Sequence, residues 1–141
     1  MLESAQNPRL KAIRALHSRK HRESEGRFLL ETTKLVVEAV KSGWPLDGIY
    51  CTENWFERHR DFTEPYEESD QEILLVSEKV FGNLTTLESP EGVVAIARYP
   101  REKFSVEVSE NSCFALAVGI QDPGNLGTLI RTADAAGATA V

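Results

Sequence analysis

The sequence predicts an α/β protein: a small α/β sandwich with helices flanking a largely parallel sheet, then one further strand–helix unit. Three observations predict it. Short apolar runs at 27–31, 46–51, 73–77 and 92–99 alternate with segments of helical period. Between them stand residues that start and stop helices, such as Asn7-Pro8, Thr32 and Gly43. After a polar, proline-led stretch, the almost wholly apolar run Phe114–Ile120 opens a second unit.

Asn7 caps the first predicted helix and Pro8 takes its first position, where a missing N–H costs nothing. Leu10, Ile13 and Leu16 follow at helical spacing, and on the same wheel Lys11, Arg14 and Arg22 fall opposite them. Arg9, Arg19 and Lys20 point elsewhere. Arg27–Glu31 is a buried-strand candidate. Thr32 or Thr33 caps the next helix, whose apolar residues are Leu35, Val36, Ala39 and Val40, and Gly43 ends it. Leu46–Cys51 is the second strand, with a helix around Asn54–Arg60 behind it. The acidic stretch from Asp61 to Glu72 contains Pro65 and lacks a period, which predicts a surface loop. Ile73–Ser77 is the third strand, Ser77 caps a short helix, and Gly92–Tyr99 is the fourth strand. Pro100–Asn111 reads as a domain boundary, with a short strand possible at Phe104, Val106 and Val108. A helix from about Leu126 to Ala136, ended by Gly137, completes the second unit, and Thr139–Val141 starts another strand.

Composition sets limits. The chain has 141 residues, 41% hydrophobic and 27% charged, the ordinary balance of a soluble globular protein. No apolar run approaches the ~20 residues that span a bilayer, and none follows Met1 as a signal peptide would. Cys51 and Cys113 lack metal-ligand and CxxC spacing, so both are expected to be reduced, packed thiols of a cytoplasmic protein, with no metal site. The net charge of −6 hides an asymmetry. Residues 1–22 carry six basic side chains and one acid, a net +5, and the remainder carries −11. A basic arm on an acidic body suits a local polyanion contact. The Lys11/Arg14/Arg22 face can be a stripe for RNA phosphates or the solvated side of an amphipathic helix, and the sequence does not separate the two.

The last stretch, QDPGNLGTLIRTADAAGATAV from Gln121, concentrates the chemistry. On a helix, Leu126, Leu129, Ile130, Ala133 and Ala136 share an apolar face, while Thr128, Arg131 and Ala135 lie opposite. Asn125 stands at the helix start, where it can cap or point into the crevice beyond the strand ends. Gly124 and Gly127 permit close backbone approach, and the helix N-terminus and Arg131 both suit an anion. Spacing alone gives neither GxGxxG nor GxxxxGK[ST], so a glycine-rich turn with a solvated arginine remains the simpler reading.

The pattern N-L-G-x-x-x-R-T-A-x-A-x-G, Asn125 through Gly137, resembles the first signature motif of the SpoU/TrmH family of RNA ribose 2′-O-methyltransferases, within the SPOUT superfamily. The segments NPRLKAIRALHSRKHRESEGRFLLE, TTKLVVEAV and LTTLESPEGVVAIA resemble the small domain that precedes catalysis in many of these enzymes. The resemblance implies a ribosomal-protein-like RNA-binding domain at 1–100, a linker at 101–112, and at 113–141 the start of a knotted, here truncated, methyltransferase domain. It implies S-adenosylmethionine as methyl donor, an rRNA or tRNA substrate and a homodimer through the knotted region. Carried over by position, Asn125 and Arg131 would be catalytic. Lys11, Arg14, Arg19, Lys20, Arg22, Glu31 and Lys34 would meet RNA. The cofactor-binding residues would lie after Val141, so residues 1–141 alone would be inactive. Where the family often reads E-G-x-K after the first strand, this chain has Glu31-Thr32-Thr33-Lys34.

Two other functions compete. One is a stand-alone RNA-binding module without catalysis. The other is a small nucleotide-binding α/β protein that uses the Gly124–Gly127 turn.

Overall fold

The computed structural model describes residues 1–62, 72–100 and 105–141. It divides into two compact units, Met1–Pro100 and Arg101–Val141. Residues 63–71 of the acidic stretch, with Pro65, and residues 101–104 of the linker, with Phe104, lie outside the described residues. Val106 and Val108 belong to no strand.

The first unit runs α1 (Pro8–Ala15), α2 (Arg19–Glu25), β1 (Arg27–Leu30), α3 (Thr33–Lys41), β2 (Leu46–Cys51), α4 (Glu53–Arg58), β3 (Ile73–Leu75), α5 (Glu78–Phe81) and β4 (Val93–Arg98). Local chemistry accounts for most of the boundaries. The Asn7 side chain accepts the Arg9 N–H, with Pro8 behind it; Thr32 accepts from Leu35, and Thr52 from Trp55. Gly26 and Gly43 take left-handed φ values of 65° and 68° just after α2 and α3, as glycine does at low cost. Ser77 precedes α5 without a capping hydrogen bond from its side chain.

The sheet order is β1-β4-β2-β3, and the sheet is mixed rather than largely parallel. β2 and β3 are parallel, whereas β4 lies antiparallel to both β1 and β2. The βα alternation correctly orients the first three strands; the last connection differs. α5 is one turn, ~6 Å long, and does not carry the chain back to where β1–β3 begin. β4 therefore starts beside the end of β2, with Val93 opposite Cys51, and runs the other way. It becomes a central strand, and Val93–Ala97 are buried on both faces.

The period-2 alternation of β4 divides the core. Val94 and Ile96 join Leu10, Ile13, Tyr50 and Phe81 beneath α1 and α5. Val93, Ala95 and Ala97 join Val36, Ile49, Cys51 and Trp55 beneath α3 and α4. That is an α/β sandwich with a core on each side of the sheet. Leu2 extends it, its N–H donating to the Leu75 carbonyl and its carbonyl accepting from Ser77.

In the second unit α6 (Pro123–Ala135) forms, three residues earlier than the sequence suggests. The predicted strand Phe114–Ile120 does not. Among the described residues its only pairing is a parallel bridge between Phe114 and Ala140, and Leu116 and Val118 are 85% and 79% exposed. An apolar run becomes a strand only where neighbours accept its backbone hydrogen bonds. The apolar side of α6 is likewise open at Leu126 and Ile130, with Ala133 its buried residue.

The two thiols part company. Both are free, but Cys113 is exposed and only Cys51 is packed, because the run that would cover Cys113 has no sheet around it. Burial pushes the Cys51 thiol from its ordinary value of 9.0 up to about 12. The unfolded chain then loses this proton first, so stability should fall as pH rises from about 9 to 12, by up to ~1.4 kcal/mol per unit. Denaturant melts at successive pH values should show that slope, and Cys51→Ala should shallow it; Tyr50, whose phenol pKa burial also raises, adds to the same slope. In the native protein a thiol reagent should modify Cys113 and spare Cys51.

Candidate RNA-contact face and reaction-centre fragment

The basic arm is two helices, and this changes what its cations do. α1 stops at Ala15, and the Leu16–Ser18 turn redirects the chain into α2. Arg22 Nη1 donates to the carbonyls of Leu16 and His17, at 3.0 and 2.7 Å, and so completes the end of α1. Arg14 Nη2 donates to the Ala5 carbonyl at 2.6 Å. Both guanidinium groups are half-buried structural clamps, and Lys11, Arg14 and Arg22 do not form one exposed stripe. Their partners are neutral, however, so Arg14 and Arg22 still contribute full positive charge. Arg19 pairs with Glu23 and Arg9 with Glu72, both at the surface. Lys11 and Lys20 are exposed and have no partner among the described residues.

Glu31 and Lys34 also separate. One oxygen of Glu31 accepts the Thr85 hydroxyl at 2.7 Å and the Thr86 N–H at 3.0 Å, tying β1 to the segment before β4. Lys34 is exposed at the start of α3, with no partner among the described residues. Thr32, in the run Glu31-Thr32-Thr33-Lys34, has φ −121° and caps α3; that backbone accepts a threonine. Glu91 accepts the Thr33 N–H at 2.7 Å, and hydrogen bonding from Thr33 lowers its pKa.

In α6 the cap is Asp122, not Asn125. The Asp122 carboxylate accepts the N–H groups of Gly124 and Asn125, each at 3.2 Å. It already fills the anion-binding end of the helix, so a phosphate there would meet a like charge. That finding counts against the simple nucleotide-binding reading. It also leaves the Asn125 side chain exposed and without a partner among the described residues.

Arg131 folds back along its own helix. Its Nη2 donates to Thr128 Oγ1 at 3.1 Å, and that hydroxyl donates to the Gly124 carbonyl at 2.9 Å. A Cβ at Gly127 would come 3.3 Å from Arg131 Nη1, the far end of a flexible side chain, which would have to give by a few tenths of an ångström. Thr128 thus presents a planar cation, with most of its five donors open, toward the first turns of α6. The spacing of Gly127 and Arg131 was visible in the sequence; the part played by Thr128 was not.

A cavity on this unit is lined by Ile130, Asp134 and Ala138–Val141, with Asp134 and Thr139 its polar side chains. No cluster of metal-ligating side chains exists among the described residues. No helix among them is long and apolar enough to cross a membrane.

A folded α/β domain with a basic arm, followed by a unit whose helix α6 carries a braced arginine, is the class of protein defined here. The chain belongs to the MRM3-like substrate-binding domain family, whose sequence model matches residues 7–95. Its relatives are SpoU/TrmH RNA methyltransferases. It is 37% identical to the 23S rRNA (guanosine(2553)-2′-O)-methyltransferase RlmP of Bacillus subtilis, over 99% of this chain and 52% of that protein. An AdoMet-bound rRNA methyltransferase from Sinorhizobium meliloti superposes with a TM-score of 0.70 at 33% identity, over 97% of this chain and 51% of the other. The SpoU methyltransferase AviRb of Streptomyces viridochromogenes, in complex with AdoMet, gives 0.77 at 28%, over 95% and 51%. The chain spans about half the length of the curated relatives first matched.

Proposed function

We propose that this chain is the substrate-binding domain and the opening of the catalytic domain of an RNA ribose 2′-O-methyltransferase that uses S-adenosylmethionine. The observation that carries the reading is the N-L-G-x-x-x-R-T-A-x-A-x-G motif, placed on α6 of a chain from this family, with Arg131 braced by Thr128. Residues 1–100 would hold rRNA or tRNA, 101–112 would link, and 113–141 would begin the methyltransferase domain. The complete protein would work in the cytoplasm as a homodimer, and residues 1–141 alone would be inactive.

S-adenosylmethionine, when bound, supplies the electrophilic methyl group. What this chain contributes is electrostatic. A ribose 2′-OH is a weak nucleophile at neutral pH, and a fixed guanidinium close to it stabilises the negative charge its oxygen gains during attack. Arginine stays protonated, so Arg131 acts as that cation rather than as a base. Asn125, free of capping duty, can orient the target nucleotide.

Incubating the complete protein with rRNA or tRNA and methyl-labelled cofactor tests the reading. One nucleotide of one RNA should become methylated and resist alkaline cleavage on its 3′ side. Binding of those RNAs without methylation would favour the stand-alone module.

Phosphate contact should run through the open lysines rather than the clamped arginines. Lys11→Gln with Lys20→Gln should reduce the slope of log K against log salt by up to about two. An unchanged slope, in a variant with wild-type thermal stability, would remove the arm from the interface.

A further inference from the structure

A cleft of ≈ 390 Å³ opens between the α1–α2 turn and the β1/β4 edge of the sheet. Leu16, His17 and Arg22 line it from the arm, and Phe28, Glu31 and Tyr99 from the sheet side. Nothing in the proposed methyl transfer uses it.

Its aromatic wall is exposed yet rigid. The rings of Phe28 and Tyr99 stack with centroids 5.2 Å apart and planes at 20°, and Trp44 meets Phe28 edge-on at 6.4 Å. Tyr99 remains 40% exposed. Its backbone N–H donates to the Gly26 carbonyl, and the carbonyl of Arg98, just before it, accepts Trp44 Nε1–H at 3.0 Å. The ring is thus held from behind and from both sides of its backbone.

The polar wall is fixed as well. Arg22 Nη1 is clamped by two carbonyls, which leaves Nε–H and both Nη2 protons without a partner among the described residues. Glu31 is held through one oxygen, and its other oxygen likewise has none. In its neutral form His17 donates Nε2–H to the Leu84 carbonyl at 3.0 Å and presents Nδ1 as an acceptor. A stacking face with preset donors and acceptors at its rim suits a planar heterocycle that carries both kinds of group. The arm that forms one wall also brings the exposed ammonium of Lys20, which suits a phosphodiester.

We propose that this cleft receives one unpaired nucleobase of the RNA, stacked on Tyr99 and read at its edge by Arg22 and Glu31. Unstacked single-strand bases are what such platforms take, and the aromatic contact tolerates any base while the edge contacts discriminate. The inference rests on the RNA-binding role proposed above.

The test uses the 141-residue chain and three fluorescent RNA probes: a hairpin whose loop contains all four bases, the same hairpin with an abasic loop, and a duplex of equal phosphate number. Fluorescence anisotropy should show the intact hairpin bound on the order of tenfold more tightly than the other two. Tyr99→Ala should abolish that advantage, Tyr99→Phe should keep it, and on the abasic hairpin Tyr99→Ala should cost nothing further. Equal affinity of the wild-type chain for intact and abasic loops overturns the base cleft, and this arm needs no variant to fold. So does a folded Tyr99→Ala that binds the intact hairpin as wild type does. In both cases salt-dependent binding leaves the RNA reading standing. Failure to bind any of the three probes at low salt overturns the RNA reading, and the cleft with it.

Discussion

Arg131→Ala in the complete methyltransferase should lower turnover by about 10²–10³-fold, the usual loss when one preset donor to a developing oxyanion is removed. The fold should survive. Arg131 is exposed, its one hydrogen bond is to Thr128, and alanine is the better helix former. Thermal melts of the variant should match wild type while single-turnover methylation falls. Because the lost contact strengthens in the transition state, kcat should drop more than the KM for RNA rises. Arg131→Lys should recover little, since a point charge on a flexible stem does not reproduce a planar fork braced by Thr128. Near-normal turnover of Arg131→Ala at saturating RNA would make the residue a solvated surface cation. Asn125→Ala is an informative companion: with Asp122 as the cap, the change costs no helix end, so any loss of rate belongs to the nucleotide site.

Trp55→Ala should cost about 3–5 kcal/mol of stability, a large share of the ~5–15 kcal/mol that holds a domain together. Trp55 has no exposed surface. Its ring stacks on His59 at 4.4 Å and meets Phe62 edge-on, and its Nε1–H donates to Thr33 Oγ1 at 2.8 Å. Its backbone N–H reaches Thr52 Oγ1, so the residue ties α4, the start of α3 and the end of β2 into one cluster. Gly92 closes that cluster. It sits at φ +91°, and a Cβ there would lie 2.8 Å from Thr52 Oγ1 and 3.2 Å from Trp55 Cβ. The surroundings are pinned by strand pairing and cannot collapse into the hole. Urea unfolding followed by circular dichroism should show a sharply lowered midpoint at an unchanged m-value. Trp55→Phe should lose less area, while leaving the Thr33 hydroxyl without its donor. A loss below about 1 kcal/mol for Trp55→Ala would mean that α4 is not docked as described.

The residues that specify local structure were legible in the sequence. Asn7, Thr32 and Gly43 act within one turn of themselves, and each stands at the helix boundary it implies. The four strands fall within a residue or two of their apolar runs, since burial of β4 on both faces needs an unbroken Val-Val-Ala-Ile-Ala. The motif around Gly127 and Arg131 was equally plain, because its spacing is one helical turn. Tertiary structure decided the rest, wherever the partner lies far along the chain or outside the periodic segment. The direction of β4 depends on how the β3–β4 connection is used: its one-turn helix does not carry the chain back, so β4 starts beside the end of β2. One oxygen of Glu31 is held by Thr85 and Thr86, more than fifty residues away. Arg14 and Arg22 share one side of a helical wheel, yet Arg14 reaches back to the Ala5 carbonyl, and the bend at Leu16–Ser18 brings Arg22 onto the carbonyls of Leu16 and His17. Asp122 rather than Asn125 caps α6 because Pro123 takes the first helical position. Phe114–Ile120 has every strand-forming side chain and makes no strand. Side-chain preference proposes an extended segment; the hydrogen bonds that make it a strand come from its neighbours.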